Sequence, residues 1–502
     1  MEILSAAQLR AWDNYTIKHE PVASIDLMER AAVKCVDWIL KKDWQDNHFR
    51  VFSGKGNNGG DGLAIGRMLL NSGFNVTFYI LEFGKPGSND FQANLQRLHE
   101  IANTDIHFLQ SKAIFPSIQK DDIVVDALFG SGLNKSLTGL AEELVLHINA
   151  SEATVVSIDM PSGLFIEQSS LGNAVIKANY TLTFQSYKQG LLVQENADFI
   201  GDVTLLDIHL HPAYLQQVSF ADQLLDEKEI RKIFRPRKQF SHKGTFGHAL
   251  IAGGSYGKVG AVVLATKSCM ATGAGLTTSL VPKCGYVVLQ STAPEAMTLV
   301  DEEEQFLSSL PADIDRFNAI GIGPGMGTKP ETQKLLSFVI RRYQKPMVID
   351  ADGLNCLAQN EELLSQLPSN SILTPHPKEF DRLFGDHKND FERIAKAKAK
   401  AKELRAVIVL KSHHTLIATP NGDAFFNSTG NAGMAKGGSG DVLTGILTSL
   451  LAQAYEPSDA AKLGVYIHGW AGDIAAKLHS AEAMLPSHLI ACLENVFLEL
   501  NK

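Results

Sequence analysis

Apolar positions recur at helical spacing at the start of the chain and then change period. Ser5 and Gln8 stand at capping-box spacing, and beyond Pro21 the positions Met28, Ala32, Cys35/Val36 and Ile39 predict a helix with one buried face. Short apolar runs then alternate with helix-length segments. Phe49–Ser53, Val76–Leu81, Ile123–Val125, Thr154–Ile158 and Tyr180–Phe184 each read as a buried strand. A second series follows at His248–Ala252, Leu276–Val281, Ala319–Ile322, Met347–Ile349, Ser371–Leu373 and Val407–Leu410. Strands alternating with helices predict α/β architecture, a parallel sheet covered by helices, twice over. Between the series, His211–Phe240 holds Pro212 and Arg235-Pro236-Arg237 and lacks a strong apolar period, which places the boundary near residue 220 and the domains at 1–218 and 222–502. The Ala/Lys alternation over Ala395–Lys402 reads as the solvated face of a helix.

Composition narrows the class of ligand. The 502 residues allow two or three domains, and 46 basic against 55 acidic side chains leave a net charge of -9. That balance gives no electrostatic case for nucleic acid or an anionic membrane as main partner, so small molecules are the expected ligands. Five scattered cysteines without a C-x-x-C pair argue against a disulfide framework or thiolate metal site and for a reducing compartment. Met1–Arg10 shows no basic region followed by an apolar run, and no stretch approaches the roughly 18 apolar residues of a membrane span. A cytoplasmic homo-oligomer is expected.

Gly54-Lys55-Gly56-Asn57-Asn58-Gly59 follows a strand, precedes a helix predicted to open at Leu63, and fits the G-x-G-x-x-G dinucleotide fingerprint, with Glu82 ending the next strand. Glycines here serve either a nearby phosphate or a tight turn. Asn57, Asn58 and Asp61 add side-chain oxygens that a pyrophosphate does not need, and a carboxylate would repel it. Two further strand ends run into Asp126, followed by Gly130-Ser131-Gly132, and into Asp159, followed by Pro161-Ser162-Gly163. Either aspartate could simply cap a turn, but beyond the carboxyl ends of parallel strands all three loops can converge on a ligand. Oxygens from Asn58, Asp126 and Ser162 suit a weakly held monovalent cation.

These three segments, Gly54–Gly62, Asp126–Gly132 and Asp159–Gly163, together resemble the NAD(P)H-hydrate epimerase domain over most of residues 1–215. The resemblance implies a Rossmann-like fold and a potassium ion on Asn58, Asp126 and Ser162. It also implies substrate contacts from Asn57, Asn58, Gly59, Gly60 and Asp61, from Gly130, Ser131, Gly132, Leu133, Asn134, Lys135 and Ser136, and from Asp159, the expected catalytic residue.

In the second half, Gly437-Gly438-Ser439-Gly440-Asp441 precedes the apolar run Val442–Leu451, which sets backbone N–H groups and a carboxylate together at a helix start. Such amides stabilise a transferring phosphoryl group. Asp441, expected to be kept ionised by the helix dipole, would accept a proton from an attacking hydroxyl, unless it is only an N-cap. Asn431–Asp441 resembles the anion hole of the ribokinase-like superfamily, and more narrowly that of ADP-dependent NAD(P)H-hydrate dehydratases. His242-Lys243-Gly244, Gly253-Gly254-Ser255, Gly323–Gly327, Asp350-Ala351-Asp352-Gly353 and Thr374-Pro375-His376-Pro377 follow the dehydratase order over roughly residues 222–500. The resemblance implies that Gly325, His376 and catalytic Asp441 contact the hydrated coenzyme. It assigns the nucleotide to Lys411, Ser412, His413, His414 and Thr415 and to Asn431, Ala432, Gly433, Met434, Ala435, Lys436, Gly437, Gly438, Ser439 and Gly440.

Three positions depart from the family pattern. Ser412-His413-His414 replaces a Gly-rich turn, Lys378 replaces a glycine, and Lys436 replaces a small residue and points either to nucleotide phosphates or to solvent. Adjacent His413 and His414 on an extended segment would face opposite ways, which disfavours a metal site. The two resemblances together imply repair of hydrated NADH and NADPH, by epimerising the R and S hydrates and dehydrating the S hydrate with ADP, accompanied by magnesium, to give AMP and phosphate. A ribokinase-like kinase fused to a nucleotide sensor leaves Asn58, Asp126 and Asp159 unemployed, and a non-catalytic NAD-binding protein does not require Asp441 beside an anion site.

Overall fold

The computed structural model describes residues 1–220, 222–310 and 313–502. The chain forms two compact units, one of Glu2–Phe220 with Asn389–Phe391 and the other of the rest. In the first, Ser5 and Gln8 close the expected capping box: the Gln8 N–H donates to Ser5 Oγ at 3.1 Å and the Ser5 N–H to Gln8 Oε1 at 2.9 Å. The helix Ser24–Ile39 buries Met28, Ala32, Cys35, Val36 and Ile39, the stripe read from the sequence.

Seven strands follow: β1 His48–Ser53, β2 Asn75–Leu81, β3 Asp105–Leu109, β4 Ile123–Ala127, β5 Thr154–Ile158, β6 Tyr180–Phe184 and β7 Asp202–Leu206. They form one parallel sheet in the order β3-β2-β1-β4-β5-β6-β7. Central strands are buried on both faces: Val125 packs with Phe49, Val51 and Leu63 on one side, and Val124 with Phe52 and Leu144 on the other. That double burial produces their unbroken apolar runs. The strand order reverses between β1 and β4, so a crevice opens past their carboxyl ends. The helix after β1 begins at Asn57, not at Leu63 as expected, because Gly59 and Gly60 are accommodated inside its first turn.

The second unit holds β8 Asp222–Leu224, β9 His248–Ala252, β10 Leu276–Val281, β11 Met297–Val300, β12 Ala319–Ile322, β13 Met347–Ile349, β14 Ile372–Leu373, β15 Val407–Leu410, β16 Leu416–Ala418 and β17 Ala424–Phe426. Their order is β11-β10-β9-β12-β13-β14-β15-β16-β17-β8, parallel except at β15–β16 and β16–β17. The stretch expected to be a linker contains β8 and a short helix, Glu227–Ile233, capped by Asp226. The almost wholly buried helix Ser439–Ala452 crosses Val259–Ala271 closely, because a Cβ on Gly445 would meet the Ala265 carbonyl oxygen at 2.0 Å. The lysine-rich segment is helical over Asp390–Leu404, with Ala397 and Ala401 turned to the core.

Candidate active sites

In the first unit, the loops after β1, β4 and β5 meet at the switch point. Gly54 and Gly59 make this possible: a Cβ on Gly54 would sit 2.0 Å from the Leu128 carbonyl oxygen, and one on Gly59 1.8 Å from that of Gly54. Gly56 has open space where a Cβ would be. The Asn58 carboxamide satisfies both its ends with Nδ2 donating to the Ile158 carbonyl at 3.1 Å and Oδ1 accepting from the Gly130 N–H at 3.3 Å.

Asp126, fully buried, accepts from Ser157 Oγ at 2.7 Å, from the Ser162 N–H at 2.9 Å and from Ser162 Oγ at 2.6 Å. Burial pushes its carboxyl above the usual range against these hydrogen bonds, and no lysine or arginine is paired with it among the described residues. Ser162 Oγ in turn accepts from the Phe129 N–H at 2.8 Å, one residue from the Gly130 that meets Asn58. The three oxygen-bearing residues expected to hold a cation are therefore linked, around a buried carboxylate that lacks a positive partner.

Asp159 differs. Its Oδ1 pairs with Lys188 Nζ at 2.8 Å and its Oδ2 accepts from the Ser131 N–H at 3.0 Å. The lysine side chain is 2% exposed and also donates to Thr183 Oγ1 at 2.7 Å and to the Phe184 carbonyl at 2.9 Å. Burial alone would raise the Asp159 pKa, but Lys188 and the Ser131 bonds hold it below the usual carboxylate range. Asp159 also has φ of +66°, a backbone conformation uncommon outside glycine. Burial and the Asp159 charge push Asp13 up to about 7, and burial with the Asp159 and Asp13 charges holds Asp61 well above the usual range. One carboxylate held below the usual range thus stands beside two carboxyls held above it, an arrangement that separates base from acid. Sequence reasoning missed Lys188 and Asp13, which lie in segments without a glycine-rich signature. Of the remaining loop residues, Ser131 reaches Asp159, whereas Gly132, Asn134, Lys135 and Ser136 are exposed and Leu133 is partly buried.

In the second unit, Asp441 lies in the first turn of Ser439–Ala452, after Gly438 with φ of +104°. Its carboxyl is pushed up to about 7 by burial and by the Asp350 charge, with Lys411 opposing and Asp352 adding to the rise. The expectation of a dipole-held carboxylate is thus corrected: burial and like charges outweigh the helix start. Asp350 itself is tied to Lys411 Nζ at 2.8 Å and to Thr444 Oγ1 at 2.7 Å, and these bonds keep it below the usual range despite burial. Lys411 also lies 3.9 Å from Glu379, whose Oε2 accepts from the His376 N–H at 2.9 Å. Gly325, at φ of +60°, accepts from Ser255 Oγ at 2.7 Å through its carbonyl, and the neighbouring Gly327 N–H donates to Asp352 Oδ2 at 2.9 Å.

The nucleotide segment expected over Lys411–Thr415 is a turn in which Thr415 Oγ1 donates to the Ser412 carbonyl at 3.0 Å. The extended geometry expected for His413 and His414 is not found: the turn packs their rings edge to face at 4.5 Å. His414 Nδ1 lies 3.0 Å from the Asn427 carbonyl, and burial pulls its pKa down to about 4. Lys436 takes neither expected direction, since its Nζ donates to the Met484 carbonyl at 2.8 Å and to that of Glu482. Lys378 is exposed, and its N–H donates to His376 Nδ1 at 3.1 Å. Asn431 binds the Gly433 N–H through Oδ1 and Asp473 through Nδ2, both at 2.9 Å. Ala432, Met434, Ala435, Gly437, Gly438, Ser439 and Gly440 complete the loop and helix start.

Two strand-end sites, one built around an ion-paired carboxylate and one around a carboxyl near neutrality at a helix start, make this a two-domain α/β enzyme, Rossmann-like then ribokinase-like. A solved ribokinase-like superfamily protein from Enterococcus faecalis matches at 29% identity and TM-score 0.50, covering 56% of this chain and 98% of that one. The family model described as YjeF-related protein N-terminus matches residues 24–190, and the NAD(P)H-hydrate dehydratase model matches 249–495. The bifunctional NAD(P)H-hydrate repair enzyme of Moorella thermoacetica is 34% identical over 100% of this chain and 98% of its own length. That of Escherichia coli K12 is 34% identical over 89% and 85%. The chain belongs to the bifunctional NAD(P)H-hydrate repair enzymes, with an epimerase domain followed by a dehydratase domain. No helix among the described residues is long and apolar enough to cross a membrane.

Proposed function

We propose that Asp441 is the base of an ADP-dependent dehydration and that Asp159 is the base of the epimerisation. The observation that carries the reading is Asp441, with a carboxyl pushed up to about 7, in the first turn of a helix whose N-cap, Gly438, offers no side chain to cap its amides. A base near neutral pH serves proton removal best, and such amides stabilise phosphoryl charge. Asp441 takes the proton from the hydrate hydroxyl, whose oxygen attacks the terminal phosphorus of ADP. The phosphorus–oxygen bond to AMP breaks, and hydroxide, a poor leaving group, becomes phosphate. The ring nitrogen lone pair then expels phosphate, and loss of a proton from the adjacent carbon restores NADH or NADPH. Gly325 and His376 contact the hydrate, and the loops Lys411–Thr415 and Asn431–Gly440 hold the nucleotide. A magnesium ion accompanying ADP would supply positive charge to its phosphates.

In the first domain the ring nitrogen expels the hydroxyl, which leaves as water after taking a proton from a neutral carboxyl of the Asp13 and Asp61 group. Water then adds to the other face and gives its proton to Asp159, kept ionised by Lys188. Residues Asn57–Asp61 and Gly130–Ser136 enclose the substrate. The Asn58, Asp126 and Ser162 oxygens fit potassium because the buried Asp126 has no cationic side chain paired with it; bound there, the ion supplies positive charge and orders the loops that meet at Gly130. The five cysteines are free, four of them buried, which supports a reducing, cytoplasmic setting, and a homo-oligomer remains the assembly proposed.

The test is stoichiometry. Given both hydrate epimers and ADP, the enzyme should release one phosphate per NADH regenerated. Phosphate release without the hydrate, or NADH return without phosphate, would contradict the reading.

A further inference from the structure

The nucleotide loop is fastened at several points to a single helix, Pro457–Ala483. At its entrance, Thr429 Oγ1 donates to the Tyr466 carbonyl at 2.8 Å. One turn on, a Cβ on Gly469 would meet Thr429 Oγ1 at 2.3 Å, so helix and loop touch backbone to backbone there. At the exit, His468 Nε2 lies 3.0 Å from the Ser439 carbonyl, and burial pulls the imidazole pKa down to about 4, so the ring is neutral and this nitrogen carries the donating proton.

Asp473 holds the middle. Its Oδ2 accepts from the Gly430 N–H at 3.0 Å and its Oδ1 from Asn431 Nδ2 at 2.9 Å. Because the carboxylate claims the amide nitrogen of Asn431, the amide oxygen is turned to the Gly433 N–H at 2.9 Å. One carboxylate therefore sets the orientation of a side chain that in turn shapes the short helical turn Ala432–Met434. Gly472 leaves room for this turn, since a Cβ there would meet Met434 Sδ at 2.3 Å. Bonds from an ionised acceptor to fixed donors are about twice as strong as neutral ones. The carboxylate also tolerates only donors, so it specifies one loop conformation.

We propose that Asp473 is a positioning residue for the dehydratase, which acts through Asn431 and Gly430 to hold the Asn431–Gly440 loop in its nucleotide-binding shape. This rests on the reading that the loop holds ADP. Asp473 touches no reacting atom in that reading, so its loss is felt in nucleotide affinity more than in turnover.

The experiment uses the full chain and reads ADP KM, kcat and epimerase rate for three variants. Asp473→Asn puts an amide where two donors converge. Asp473→Glu keeps the charge but moves it by one methylene. Gly437→Val adds bulk at an exposed loop position where a Cβ has no neighbour within 4 Å, so it crowds the open face of the loop without disturbing the packing beneath it. ADP KM should rise about tenfold in Asp473→Asn and by less in Asp473→Glu, with kcat within about threefold and epimerisation unchanged. An ADP KM within twofold of the parent in both Asp473 variants, while Gly437→Val raises it, overturns the positioning role alone. If Gly437→Val also leaves ADP KM unchanged, the assignment of the loop to the nucleotide fails with it. Should Asp473→Asn not fold, a parental ADP KM in Asp473→Glu is sufficient to overturn the proposal.

Discussion

The ammonium of Lys411 donates to Asp350 at 2.8 Å, so the cation nearest Asp441 is already engaged by another carboxylate. Asp441 sits in a poorly solvated site where the Asp350 charge acts on it more strongly than the opposing Lys411, and its carboxyl rises to about 7. Because the ionised form is the base, kcat/KM for dehydration should rise with pH up to about 7 and level off above it. Removing the Asp350 charge lifts a repulsion and frees Lys411 to favour the carboxylate. Asp350→Asn is therefore predicted to move the midpoint to lower pH, a shift readable in a pH–rate profile; a shift upward would contradict the electrostatic account.

Asp441→Asn should lower the dehydration rate by about 100- to 10,000-fold and leave epimerisation intact. The same substitution should stabilise the second domain at alkaline pH. A carboxyl whose folded pKa is raised binds more protons folded than unfolded, so its cost builds up as pH rises from the ordinary carboxylate value to about 7 and is fully present above that. Removing it should gain about 1–2 kcal/mol at pH 8 once solvent screening is allowed for, measured by chemical denaturation.

Lys188→Met removes the partner of a buried carboxylate. The first domain should lose about 3–5 kcal/mol, seen in urea unfolding followed by tryptophan fluorescence, since Trp12, Trp38 and Trp44 lie in that domain and only Trp470 in the other. The sign with pH follows from Asp159, whose folded pKa is depressed: its stabilisation is present above the ordinary carboxylate value and is lost as pH falls through the folded one. That acid limb should disappear in Lys188→Met. Epimerisation should fall with it, and dehydration of the S hydrate should not.

The potassium reading makes a separate prediction. Epimerisation should be faster in potassium than in a buffer whose only cation is a bulky quaternary ammonium, and Asp126→Asn should flatten that dependence. Equal rates in the two buffers would remove the cation from the account.

Central strands were legible to within two residues because burial on both faces leaves unbroken apolar runs, as in β4, which continues two residues past the run, and β12, which matches it. Edge strands were not. β3 exposes most of its side chains and β11 half, and β7 is only half-buried, so none carries an apolar run that stands out. The β16–β17 hairpin has strands of three residues, although Pro420-Asn421-Gly422 between them is a turn signal that could have revealed it. Glycine-rich loops announced both sites, since close backbone approach leaves no alternative to glycine at Gly54 or Gly59. Their charged partners carry no such mark. Lys188 lies 29 residues beyond Asp159 and becomes meaningful only when β6 delivers it to the end of β5, and Asp473 is one acidic residue on a long helix until the fold sets it under the loop. His414 shows the reverse error, in which an assumed extended segment proved to be a turn.

The most direct test of two separate active sites is NADH recovery from an equal mixture of the two hydrates with excess ADP, followed for the time the parent enzyme needs to finish. The parent should return all of it, Asp159→Asn half, and Asp441→Asn none. Full recovery by Asp159→Asn at the parental rate, or recovery by Asp441→Asn of more than about a few per cent in that time, would contradict the division of labour.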